Sequence, residues 1–125
     1  MKIKKIGQIA IPIHDINRAI DFYQNKLGLK LLFQAGQLTF FECGDVRLLL
    51  APPEKESQEF YGSIIYYQVD DIHQAYESLF QKGVIFLDQP HLIAKMHGRE
   101  TWMVFFKDSE GNTLALMSEF ENREV

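Results

Sequence analysis

The chain repeats itself, and the repeat restricts it more than any other feature. Asp15-Ile16 recurs as Asp71-Ile72 at an offset of 56 residues, and the same offset pairs Ala19 with Ala75, Tyr23 with Leu79 and Lys26 with Lys82. Towards the end of each half the match resumes at an offset of 67, pairing Gly44 with Gly111, Leu48 with Ala115 and Leu49 with Leu116. Self-similarity of this kind means one supersecondary unit used twice. The offsets differ by eleven residues, which places an insertion in the second half around residues 88–100. That stretch holds His91, Met96, His97 and Arg99. An insertion this long in a compact domain reads as a functional loop or lid.

Each half begins with a strand and a capped helix. Residues 5–13 are β-branched and apolar, which predicts a strand. Asp15 offers an N-cap, and Ile16, Ala19, Ile20, Tyr23 and Leu27 follow at helical spacing until Lys26 and Gly28 close the helix. Three short strands are predicted next, at 30–34, 38–43 and 46–51, separated by tight-turn compositions. Residues 52–62 open on Pro52-Pro53, lack any pattern, and read as a linker. The scheme then returns, with a strand over 63–69 and a cap at Asp70 or Asp71. Ile72, Ala75, Tyr76 and Leu79 repeat the helical spacing, and strands follow at 84–87, 101–107 and 113–118. Module one thus covers 1–51 and module two 63–118, with a frayed tail over 119–125.

Composition bounds the class. At 125 residues, 46% apolar and 24% charged, the chain supports one globular core. A net charge of −4 argues against nucleic acid, whose phosphates call for a basic face. No segment approaches the roughly 20 apolar residues that span a bilayer. The opening apolar run is broken by Gln8 and ends at His14-Asp15, too short for a secretory signal. A single cysteine, Cys43, excludes an internal disulfide and reads as a small buried residue rather than a nucleophile. A cytoplasmic protein without membrane contact is expected.

Particular residues carry a family resemblance. Ile11-Pro12-Ile13-His14-Asp15-Ile16 with Ala19, Phe22-Tyr23 and Leu27-Gly28 forms the first set. Val69-Asp70-Asp71-Ile72 with Ala75, and Phe105-Phe106-Lys107-Asp108-Ser109-Glu110-Gly111-Asn112, form the second. In their order and spacing the chain resembles the vicinal oxygen chelate superfamily of glyoxalases, bleomycin-resistance proteins, fosfomycin-resistance enzymes and extradiol dioxygenases. Ser109 stands where that family usually has proline. The resemblance implies an α+β fold in which two βαβββ modules curl their mixed sheets around a shared cavity. It also implies homodimerisation.

Metal-dependent members of the family place one ligand on the first and one on the last strand of each module. On this chain the resemblance and the two offsets carry those positions to Gln8, Leu48, Ile64 and Ala115. Only Gln8 bears a donor, a weak one beside carboxylate or imidazole, so no metal and no cofactor is expected. Strand alternation with those positions facing inward collects Gln8, Ala10, Leu48 and Leu50, then Ile64, Tyr66, Gln68, Ala115 and Met117. Such a lining suits a small, largely apolar or aromatic ligand. Trp102 offers a stacking surface with an N–H donor, and the insertion adds His91 and Met96. The expected function is metal-free binding of a small molecule, as in the bleomycin-resistance branch. The alternative is a glyoxalase-like lyase, isomerase or dioxygenase in which His91 is the catalytic candidate or a different metal site is used.

Overall fold

The computed structural model describes residues 1–53 and 63–121. The remainder of the linker reading, 54–62, and the end of the tail, 122–125, lie outside the described residues. The chain divides into two compact units, Met1–Tyr61 and Gly62–Val125.

In the first unit, β1 (Gln8–Pro12) leads into α1 (Ile16–Ile20), and β2 (Lys30–Ala35), β3 (Leu38–Cys43) and β4 (Val46–Ala51) follow. Their order in the sheet is β1-β4-β3-β2, with β1 parallel to β4 and the other neighbours antiparallel. Asp15 caps α1 as expected, its carboxylate accepting the Arg18 N–H at 3.1 Å. The predicted helix does not stay α-helical throughout, for Asp21–Lys26 forms a π-helical turn in which the Leu27 N–H donates to the Phe22 carbonyl at 2.9 Å. The adjacent rings of Phe22 and Tyr23 are both buried, and Tyr23 faces Phe41 of the sheet with centroids 6.1 Å apart. Ile11, Leu48, Leu50, Thr39 and Phe41 complete this core on the helix side.

The second unit repeats the plan with β5 (Ile65–Gln68), α2 (Ile72–Gln81), β6 (Ile85–Phe86), β7 (His91–Met96), β8 (Arg99–Lys107) and β9 (Thr113–Glu121). The sheet runs β5-β9-β8-β6, and β7 also pairs with β8. Asp71 caps α2 through the His73 and Gln74 N–H groups, each at 3.1 Å. On the sheet, Phe86 meets Tyr76 at 4.5 Å and Phe106 at 5.6 Å, so the α2 face closes on Val104, Phe106, Leu114 and Leu116. Among the described residues no helix is long and apolar enough to cross a membrane.

The insertion is not a loop or lid. Its residues from His91 onward form β7, which turns at His97-Gly98 and returns as an extended β8. Both turn residues have positive φ, 52° and 75°, the geometry of a two-residue hairpin. β6 and β7 lie along the same neighbour, β8, and together occupy the place that β2 holds in the first sheet. Each of these edges carries a bulge, between Leu31 and Phe33 and between Leu92 and Ala94. The tail expectation also changes: Glu119–Glu121 continue β9, with Glu121 opposite Arg99 and Glu119 3.6 Å from the Arg99 Nε. The longer β8 gives those residues a partner strand, so pairing extends where fraying was expected.

Candidate functional site

Residues directly opposite one another across a ladder point to the same side of a sheet. The register therefore sorts every strand residue onto the helix-covered face or the far face. In the first sheet, Ile9-Leu48-Phe41 and Ile11-Leu50-Thr39 are rows on the helix side. The far face carries the row Gln8-Arg47-Glu42-Lys30 and, next to it, Ala10-Leu49-Phe40-Phe33.

This overturns part of the expected lining. Leu48 and Leu50 were expected beside Gln8 and Ala10, but they face the helix, and Leu48 is only 1% exposed. The reason is a slip of one residue. The offset of 67 was anchored on the turn glycines, yet the β3–β4 connection has two residues, Gly44-Asp45, whereas the β8–β9 connection has five, 108–112. Ladder pairing sets Ala10 beside Leu49 and Tyr66 beside Ala115, so the counterpart of Ala115 is Leu49. A shift of one position turns every side chain to the other face. The chemical outcome at the implied ligand positions is unchanged, because one leucine replaces another.

In the second sheet the expected set holds together better. Tyr66, Ala115 and Phe105 form one far-face row, and Gln68, Met117, Met103 and His91 form the next. Ile64 precedes β5 and is exposed. Tyr66 and Phe105 stand on either side of β9, yet their ring centroids are only 6.0 Å apart and edge to face. Strands two places apart are separated by roughly 9.5 Å, so the rings lean together over Ala115. This accounts for its 0% exposure. A carboxylate in place of that methyl group would have to displace two aromatic rings.

His91 is held from one side. Its Nδ1 lies 2.8 Å from the Gln89 carbonyl, which can only accept, so Nδ1 carries the proton of the neutral ring. The Asp88 Oδ2 is 3.8 Å from the same nitrogen, and its Oδ1 accepts the Phe105 N–H at 2.8 Å. Nε2 is left with its lone pair as an acceptor. Pro90 and the strand start at His91 thus replace the free loop on which this histidine was expected.

Trp102 departs from its expected role. It lies opposite Ser118, on the helix side with Val104 and Phe106. Its ring meets His73 of α2 edge to face at 5.2 Å, and its Nε1–H donates to Glu100 at 3.2 Å. It meets a helix edge to face, because alternation along β8 from the buried Phe106 turns it away from Tyr66. Met96 ends β7 opposite Arg99, and its side chain lies outside what is described.

Several far-face residues were not expected: Arg47, Phe33, Phe40, Leu49, Met103 and Phe105. Alternation within β3 and β8 carries the signal for them, but only once the register links those strands to β1 and β5. Phe33 and Phe40 stack with centroids 4.4 Å apart, and the Arg47 guanidinium lies 5.1 Å from the Phe40 centroid while its Nε–H donates to the Gln8 amide oxygen at 2.8 Å. Cys43 sits on the helix side with Phe41, and burial pushes its thiol above the ordinary value, which suppresses the reactive thiolate. The carboxylate of Asp108 is a turn former: it accepts the Glu110 N–H at 2.9 Å, and the Asn112 backbone and side-chain N–H groups at 2.8 Å each. Among the described residues no three or more His, Cys, Asp or Glu side chains gather as a metal would require.

Residues 5–116 match the family model of the Glyoxalase/Bleomycin resistance protein/Dioxygenase superfamily. The chain is 30% identical to the protein YetH of Bacillus subtilis (strain 168), over 91% of its own length and 98% of that of YetH. It is 25% identical to the metallothiol transferase FosB of Lysinibacillus sphaericus (strain C3-41), with 90% of this chain and 80% of FosB covered. Among solved structures, TnmS3, an antibiotic binding protein from Streptomyces sp. CB03234, superposes with a TM-score of 0.74 at 22% identity, covering 96% of this chain and 99% of that one.

Proposed function

This chain belongs to the Glyoxalase/Bleomycin resistance protein/Dioxygenase superfamily, and within it we propose that it is a metal-free binding protein for a small, largely apolar or aromatic molecule. The ring pair closed over Ala115 carries this reading. That is where the family resemblance implies a last-strand ligand, and two aromatic rings now fill the space around a methyl group. The other implied positions, Leu49 and Ile64, are hydrocarbon, and the Gln8 oxygen already accepts the Arg47 N–H. One amide oxygen does not make a divalent-metal site, so the donor set does not fit the metal implied by the family.

The residues proposed to receive the ligand are Tyr66, Phe105, Met103 and Met117, with Gln68 and His91 as polar anchors at the two ends of their row. Rings and thioethers supply polarisable contact with few fixed hydrogen bonds, which suits ligands recognised by shape. The antibiotic-binding function of TnmS3 supports the compatibility of this fold with such a role. Homodimerisation and a cytoplasmic location belong to the same reading. A titration of purified protein with the neutral aromatic 2-naphthamide tests it: saturable binding that falls at least tenfold in Tyr66→Ala is expected. A stoichiometric divalent ion found by elemental analysis of purified protein would overturn the metal-free reading.

A second reading rests on His91. With its Nδ1 proton committed to Gln89 and Asp88 close by, Nε2 is set to take a proton from a bound substrate. Its similarity to a transferase, FosB, favours keeping an enzymatic role in view. Turnover of a bound compound that disappears in His91→Gln while affinity persists would establish it.

A further inference from the structure

We propose that the far face of the first sheet is a site of its own for an aromatic monoanion, whose carboxylate Arg47 reads; this rests on the reading that the far faces of this fold bind small aromatic molecules. Arg47 lies on β4, an inner strand, with β1 on one side and β3 on the other. Glu42 is its direct cross-strand neighbour on the same face, the usual partner for an ion pair. Among the described residues, however, Arg47 forms no ion pair with it. The guanidinium instead leans diagonally over the next row, 5.1 Å from the Phe40 centroid, and its Nε–H is held by the neutral Gln8 amide at 2.8 Å. Both partners orient the group and neither neutralises it.

The arrangement is that of a carboxylate receptor. A guanidinium presents its donors as a planar fork that matches the two oxygens of a carboxylate. Gln8 occupies Nε, and the terminal nitrogens remain for a ligand. The bond to Gln8 and the contact with the Phe40 ring hold the guanidinium in place, so little side-chain freedom is lost on binding. Beside it lies an apolar floor, the row Ala10-Leu49-Phe40-Phe33, in which Phe33 is 48% exposed and stacked on Phe40. The exposed ring of Phe33 is the surface proposed to meet a flat aromatic body whose charged group lies at Arg47. The row of Gln8, Arg47, Glu42 and Lys30 carries one negative and two positive side chains, a formal +1 that a single negative charge balances. That arithmetic favours a carboxylate over a phosphate dianion.

Isosteric probes separate charge from shape. Calorimetric titration of the full chain with 2-naphthoate and with 2-naphthamide is expected to give about tenfold tighter binding of the acid, equivalent to about 1.4 kcal/mol. The preference is expected to shrink with added salt. In Arg47→Gln the acid is expected to lose its advantage while the amide stays within about twofold of its wild-type affinity. Arg47→Lys, which keeps the charge and loses the fork, should retain part of the preference. Equal wild-type affinities, or tighter binding of the amide, would overturn the carboxylate assignment and leave the aromatic-binding reading standing. Failure of both probes to bind would overturn the two together. The wild-type comparison decides the question even if a variant folds poorly.

Discussion

Replacing Leu48 and Leu49 one at a time by alanine tests the register on which the site is built. Leu48 is 1% exposed and sits between Ile9 and Phe41 on the helix-covered face. Removing its side chain loses the transfer free energy and leaves a cavity, together about 3 kcal/mol for a leucine in a closed core. Unfolding entropy of about 2.1 cal/mol/K per residue, over 125 residues, gives about 0.26 kcal/mol/K. Leu48→Ala should therefore lower Tm by roughly 11 °C. Leu49 is half-buried on the far face between Ala10 and Phe40, where no closed cavity would remain. Its truncation should cost about 1 kcal/mol, or roughly 4 °C. Binding should divide the other way: affinity for 2-naphthoate should hold in Leu48→Ala and weaken severalfold in Leu49→Ala. Circular dichroism melts and the same titration measure both. If Leu49→Ala proved the more destabilising and left binding untouched, the β1–β4 register would be one residue out and the far-face rows wrong.

Three further outcomes follow from the same geometry. Asp108→Ala removes an acceptor of at least three hydrogen bonds at a position 6% exposed, and should cost about 2–4 kcal/mol in a denaturant titration; a change below 1 kcal/mol would show the turn to be indifferent to it. Trp102→Phe should leave ligand affinity within about twofold while lowering Tm, since the indole meets His73 edge to face and bonds to Glu100; loss of binding would return Trp102 to the site. Cys43 should react slowly with a disulfide reagent at neutral pH, with a rate that rises to a midpoint above the ordinary thiol value. Because folding favours its neutral form, its contribution to stability is intact below the unfolded thiol pKa and is lost as pH rises through the folded one. A normal midpoint would mean that the thiol is not desolvated.

How far the candidate site was legible depends on the kind of contact. Asp15, and Asp71 as one of two neighbouring candidates, were readable as caps because a cap bonds within three residues of itself. The Asp108 turn is equally local, and the side-chain set Tyr66, Gln68, Ala115 and Met117 followed from alternation along two strands whose offset happened to be in step. Leu48 failed because the resemblance placed it along a strand without fixing that strand's register to β1, and the offset that tied it to Ala115 passed through a turn. The two hairpins share a glycine but differ in loop length, and no local rule converts that difference into a register. Trp102 failed for a related reason: its face is set by the parity of β8 relative to the buried Phe106, which only the pairing with β9 defines.

From its amino acids alone, then, the chain announces a duplicated strand–helix–strand unit, its caps and turns, and the place where the second copy grew. These are short-range properties, governed by periodicity and by hydrogen bonds that close within a few residues. Tertiary structure decides which residues meet. Pairing of distant strands extended β8 and β9 to Arg99 and Glu121, closed Tyr66 and Phe105 over Ala115, and brought Gln8 to Arg47 across 39 positions of sequence. The physical reason is that ladder register is settled by long-range pairing and core burial acting together, and a single-residue shift in it exchanges a core for a binding face.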